Sequence, residues 1–168
     1  MSITKNLRSN FFSKGKIISL VIIILVFIFD RLSKIKIVDH QSIGESVFIN
    51  DYLNFNLIWN TGVGFGLFSQ NANLYYHAIS SLIFMVIVFL FYLTIKANFI
   101  DKMSFSLIIG GALGNFYDRI YYYAVPDFID FHINDFHWFT FNIADIFISL
   151  GIILFLIKEL NFKKNDKK

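Results

Sequence analysis

The stretch Val125–Asp145, VPDFIDFHINDFHWFTFNIAD, holds four aspartates and runs straight into an apolar segment. Its first half alternates, with Ile129, Phe131 and Ile133 set against Asp130, His132 and Asn134, which is the period of a strand. The pair Asn134-Asp135 is turn chemistry and the aromatic run FHWFTF follows, so the spacing predicts a hairpin with Trp138 and its Phe neighbours at lipid-headgroup depth. NIAD then reads as a helix start. Asn142 suits the N-cap and Asp145 the N3 position, close to a capping box, and a carboxylate there also complements the helix dipole. A hairpin with Asp127 near its beginning therefore delivers the chain to a helix that opens on Asp145.

That helix is one of four apolar stretches, at about 17–37, 74–95, 103–122 and 143–160, each long enough to cross a bilayer. With 56% hydrophobic and 16% charged residues and a mean hydropathy of +0.60, the chain is too apolar for a soluble domain. The expected architecture is a membrane all-α core of four transmembrane helices with a small extracytoplasmic β-sheet and a surface hairpin, one domain over residues 1–168. The first stretch resembles a secretory signal, but no small-residue cleavage pattern follows it, so it is read as a retained span.

Eleven of the 15 Lys and Arg residues, at positions 5, 8, 14, 16, 96, 102, 158, 163, 164, 167 and 168, fall on one side of such a bundle. The positive-inside rule then predicts cytoplasmic termini and places about 38–73 and 121–142 outside. In the first of these segments, short β-branched and aromatic runs predict a few strands that end at Gly62, Gly64 and Gly66. The sequence pI of about 9.0 reflects this topology rather than nucleic acid, for which no recognition motif is present. No cysteine is available for disulfides, thiolate metal sites or nucleophilic catalysis.

Ionisable groups within a span are costly and each needs a reason. Asp30 and Lys34 stand at i, i+4 at the end of the first stretch. They are either an ion pair that snorkels at the rim or an anchor for the outer sheet or substrate. In GGALGNFYDR, Gly110 and Gly114 form a small-xxx-small packing pair. Asn115, Asp118 and Arg119 stack on one face beyond them, as a functional group or as a helix end in headgroup water. For Asp145, capping alone competes with a chemical role.

Two carboxylates that converge in a poorly hydrated place cannot both ionise easily, so one keeps a proton while the other activates water. Asp127 and Asp145 are candidates for that aspartic-protease chemistry, which needs no metal and no cofactor. Asp130 is a candidate supporting group and Asp135 a turn residue. The series Asp127, Asp130, His132, Asp135, His137 matches no familiar metal-ligand signature, and alternation is expected to spread it over both strand faces, so no metal site is predicted. Gly-x-Ser-x-Gly is absent.

Nearly the whole chain resembles the bacterial lipoprotein signal peptidases, the type II signal peptidases. The resemblance rests on DRLSK from Asp30, NTGVGFG from Asn60, GGALGNFYDR, VPDFIDF and FNIAD, in that order. It implies Asp127 and Asp145 as catalytic residues and Asp30, Lys34, Asn60, Gly62, Asn115, Asp118, Arg119 and Asn142 as polar support. It further implies a monomeric enzyme of the bacterial cytoplasmic (inner) membrane with its site at the outer face. Its substrates are diacylglyceryl-modified prolipoproteins reached through membrane lipid and cut just before the lipidated cysteine, and the cyclic peptide globomycin is the expected inhibitor. Pro126 and Gly64 depart from the commonest family pattern and bear on loop flexibility. Two other classes compete: a proton-coupled carrier subunit using Asp30, Asp118 and Asp145 as a relay, and a structural subunit whose acids serve as caps and rim pairs.

Overall fold

The computed structural model describes residues 14–43, 45–62 and 73–165. Gly64 and Gly66 lie outside the described residues. Four helices, α1 (Lys14–His40), α2 (Asn73–Lys96), α3 (Phe99–Tyr121) and α4 (Ile143–Asn165), coincide with the four apolar stretches and exceed each by a few residues. Strands β1 (Ser46–Asn50), β2 (Leu53–Asn60), β3 (Val125–Ile133) and β4 (Phe136–Phe141) supply the rest. At 23 to 27 residues the helices are about 35 to 40 Å long. Among the described residues, one segment, Tyr76–Lys96 with mean hydropathy 2.6, is long and apolar enough to cross a membrane on those grounds alone; charges interrupt the other three helices.

The charges of Asp30, Arg31, Lys34, Asp118 and Arg119 do not reach the surface. The outward faces carry Leu20, Ile24, Leu25 and Leu32 on α1, Leu82, Met85 and Phe89 on α2, and Ile153, Leu156 and Leu160 on α4, all exposed. The interior holds Asp30, Arg31, Lys34, Asn115, Asp118 and Arg119, all buried. Apolar outside and charged inside is the arrangement that lipid, acting as solvent, favours.

Helix α3 is central and packs against the other three. Asn98 starts it by accepting the Asp101 backbone N–H at 3.0 Å. Its glycines mark where its neighbours come close. A β-carbon at Gly110 would meet Val26 of α1, one at Gly111 the Ala144 carbonyl of α4, and one at Gly114 the Asp30 carboxylate. Apolar side chains gain little by leaving lipid for each other, so this close backbone approach, with polar contacts, holds the helices together.

The polar contacts centre on Lys34, 1% exposed, whose Nζ donates to Asn115 Oδ1 at 2.7 Å and pairs with Asp118 Oδ2 at 2.8 Å and Asp30 Oδ2 at 3.0 Å. Arg31 pairs with Asp118 at 2.5 Å and packs over the Tyr117 ring, 4.9 Å from its centroid. Asp30 and Lys34 are thus no snorkelling rim pair, and Asp118 and Arg119 do not end in headgroup water. Two carboxylates and two cations neutralise one another inside the bundle, which removes the need to reach solvent.

The two segments that flank the α2–α3 pair form one sheet. All four strands are antiparallel in the order β1-β2-β3-β4, with β2 paired to β3, so the expected small sheet and separate hairpin are a single layer. Sequence alternation marks each strand but carries no signal for pairing across the intervening helices. Asn134 takes a left-handed φ of 51° in the β3–β4 turn, a conformation asparagine tolerates, and Asp135 follows it in that turn. Tyr123, with φ 57°, turns the chain from α3 into β3.

Two outcomes follow from this packing. Lys34→Met leaves two buried carboxylates short of their cation and is expected to cost about 3–5 kcal/mol in reversible unfolding in detergent. Gly114→Ala drives a methyl into the Asp30 carboxylate and is expected to cost about 1–3 kcal/mol. Gly15→Ala, whose new carbon meets only Lys102 Cδ at 3.7 Å, serves as the neutral or stabilising control.

Candidate active site

Asp127 lies near the start of β3, 3% exposed, and Asp145 in the first turn of α4. Between them sits Asn142, fully buried, with a use for every polar atom it carries. Its backbone N–H donates to Asp145 Oδ2 and its Oδ1 accepts the Asp145 backbone N–H, both at 3.1 Å, which is the capping box expected from NIAD. Its Nδ2 donates to Asp127 Oδ1 at 2.6 Å. Capping and a chemical role are therefore compatible, because the cap is also the bridge between the two carboxylates.

The other oxygen of each carboxylate is held from a different element. Asn60, the last residue of β2, donates its Nδ2 to Asp127 Oδ2 at 2.9 Å and accepts the Gly62 N–H on its own Oδ1. Asn115 of α3 donates its Nδ2 to Asp145 Oδ1 at 2.8 Å while its Oδ1 accepts from Lys34. Lys34 thereby fixes which way the Asn115 amide faces. Asp30 Oδ1 accepts the Ala144 backbone N–H at 3.0 Å, pinning the first turn of α4 to α1. Arg119 donates to the Gly62 carbonyl at 2.9 Å and to the Asn115 carbonyl at 3.1 Å, and its own carbonyl accepts the Tyr76 hydroxyl.

The ten residues expected at the site thus fall into one hydrogen-bonded web, and Asp118 joins it through Lys34. Arg31 was missed: in DRLSK it looks like a rim cation, and only the approach of α1 to α3 shows that it pairs with Asp118. Asp130 is buried but bonds to His137 rather than to the web. Alternation separates Asp127 from Asp130, yet it does not scatter the whole acidic and histidine series. Asp130, His132 and His137 meet, because residues two apart share a strand face and β4 places His137 opposite His132.

Burial, and after it the charge of nearby Asp145, push the Asp127 carboxyl up to about 6, against the pull of its two amide donors. Asp127 and Asp145 close the polar end of a cavity of about 510 Å³ between α2, α3 and α4, which Asn60, Asn115, Arg119 and Asn142 also line. Apart from Ser149, the rest of its wall is apolar, with Leu82, Val86 and Leu90 of α2 facing Ile108 of α3 and Ile148 and Ile152 of α4. The cavity joins two acids and four polar groups to a hydrocarbon-lined groove.

Known proteins share this chain's sequence and shape. The family model for signal peptidase (SPase) II matches residues 22–161. The lipoprotein signal peptidase of Pelagibacter ubique is 48% identical over 157 residues, covering 92% of this chain and 93% of that protein. Those of Anaplasma phagocytophilum and Clostridium tetani are 39% and 40% identical, over 88% and 89% of this chain and 94% and 97% of theirs. A bacterial membrane enzyme solved by the in meso method at 2.3 Å resolution superimposes with a TM-score of 0.75 at 34% identity, over 88% of this chain and 90% of that one. A second, at 1.9 Å, gives 0.72 at 33% identity, over 84% and 92%. The carrier and structural-subunit readings give way to these relationships, and the chain belongs to the signal peptidase II family, bacterial membrane proteases that cleave the signal peptides of prolipoproteins.

Proposed function

We propose that Asp127 and Asp145 are the catalytic dyad of this protease, acting on diacylglyceryl-modified prolipoproteins just before the lipidated cysteine. The observation that carries this reading is the pair of carboxylates bridged by Asn142 at the polar end of an apolar groove. Each oxygen accepts one amide hydrogen, which fixes its direction and leaves lone pairs for a water between the two acids. The ionised partner draws a proton from that water as it attacks the scissile carbonyl, and the protonated partner donates to the carbonyl oxygen. The roles then exchange as the leaving amine takes a proton. With one proton on the pair, Arg119 balances the remaining negative charge.

Asp30, Lys34, Asn115, Asp118 and Asn142 act as positioning residues, since they orient the two acids through hydrogen bonds. Asn60 does the same from β2, and Arg119 with Gly62 ties the outer loop to α3. In this reading the apolar groove receives the signal helix and acyl chains sideways from lipid, and globomycin-type inhibitors compete for the dyad. All four helices span the bilayer within a single domain of residues 1–168, in which Asp30, Arg31, Lys34 and Asp118 are paired inside. Lys14, Lys16, Lys96, Lys102 and Lys158 lie toward the opposite end from the dyad, where Lys158 pairs with Asp101 at 3.2 Å, which supports cytoplasmic termini and an outer site. In this reading the enzyme acts as a monomer.

Asp127→Asn and Asp145→Asn are each expected to cut turnover of a lipidated prolipoprotein by about 100-fold or more without unfolding the protein. Near wild-type turnover by either folded variant contradicts the dyad. A raised Asp127 pKa lets the pair keep its proton to higher pH, so activity should decline as pH rises beyond about 6, with the proton lost. A kcat/KM profile that stays flat from about pH 5 to about pH 9 contradicts that assignment.

A further inference from the structure

We propose that Asp130, His132 and His137 bind one divalent transition-metal ion, zinc above all, that ties β3 to β4 on the outer sheet. A donor atom from each of the three lies within 4.8 Å of the other two. Asp130 is 2% exposed and His132 8% exposed, and the His132 Nδ1 is buried with no hydrogen-bond partner. Asn54 sits directly across from Asp130 on β2, and its Oδ1 is likewise buried and unpartnered.

The simpler arrangement is a hydrogen bond between His137 Nδ1 and Asp130 Oδ2, at 2.7 Å, with the two imidazoles stacked at 5.0 Å. It satisfies Asp130 and His137 but leaves the His132 nitrogen and the Asn54 oxygen orphaned in a buried place, which native structures avoid. A cation answers the first, because it is a common partner for lone pairs that converge without a donor, and His132 converges with Asp130 and His137. Two imidazoles and a carboxylate are a donor set that suits zinc. Bonds of about 2.0–2.1 Å put ligand atoms about 3.4 Å apart, so the His137–Asp130 pair opens from 2.7 Å while wider separations close. His137 supplies that movement, since its side chain is 55% exposed and β4 is an edge strand. His132 also borders a polar cleft of about 450 Å³ with Tyr52, Asn134 and Asp135, which gives an ion a way in from water.

The ion would reinforce the strand that carries Asp127 without touching the reacting atoms, so this site stands independently of the proposed dyad. Zinc sulfate is titrated into the full-length detergent-purified protein lacking a histidine tag, followed by calorimetry, thermal unfolding and a metal count after desalting. Wild type is expected to retain one zinc per chain and to unfold at a higher temperature with it. Asp130→Asn and His137→Ala are expected to weaken binding at least ~10-fold. The double variant His40→Ala with His77→Ala, which removes the other two histidines, is expected to bind as wild type does. The proposal is overturned by a wild-type protein that holds no stoichiometric zinc, by unchanged affinity in His137→Ala, or by loss of binding in the double variant. His137 is exposed enough for its alanine variant to remain folded should the buried Asp130→Asn fail.

Discussion

The interaction on which the rest depends is the buried ammonium of Lys34, held at once by Asp30, Asn115 and Asp118. Apolar helices in lipid have no hydrophobic reason to choose one register over another. A lysine that must find three oxygens inside the bundle supplies that reason, because sliding α1 against α3 by a turn would strand at least two charges. The glycines at 110 and 114 allow the approach and the charges fix its position. The same lysine orients Asn115, which holds Asp145, while Asp30 grips the first turn of α4. Register and site geometry are therefore set by a single cluster.

The placement of the two acids follows from where they sit in the chain. Asp145 opens a helix and Asp127 begins a strand, so both are fixed by backbone that has just changed direction. Asn142 is the residue that makes the two ends one object, using its main chain and side chain toward different acids. Burial is the main force that raises Asp127, which is held by two amide donors, while Asp30 and Asp118, equally buried, form ion pairs with Lys34 and Arg31. Asp30 and Asp118 are touched by a cation, and the proposed catalytic pair is held by amide donors instead.

Much of this was legible in the sequence because its signals are local. Four apolar runs gave the four helices, NIAD gave the capping box, and alternation from Ile129 gave β3. What stayed hidden depends on contacts between distant segments. Pairing of β2 with β3 joins residues on either side of two helices, and nothing in either strand names its partner. Arg31 has the same look as any rim cation until α3 brings Asp118 to it. The meeting of Asp130, His132 and His137 lies beyond strand alternation, which separates only residues of opposite parity and says nothing across a hairpin turn.

The central claim is that two bridged, buried carboxylates share one proton, and it is tested most directly by infrared titration of the protein in lipid nanodiscs with isotope-labelled aspartate. A carboxylic-acid band worth one proton should be present in mild acid and fade with a midpoint near the Asp127 value of about 6. That step should vanish or move when either Asp127 or Asp145 is replaced by asparagine. A wild-type spectrum in which every aspartate is already ionised at about pH 5 would contradict it.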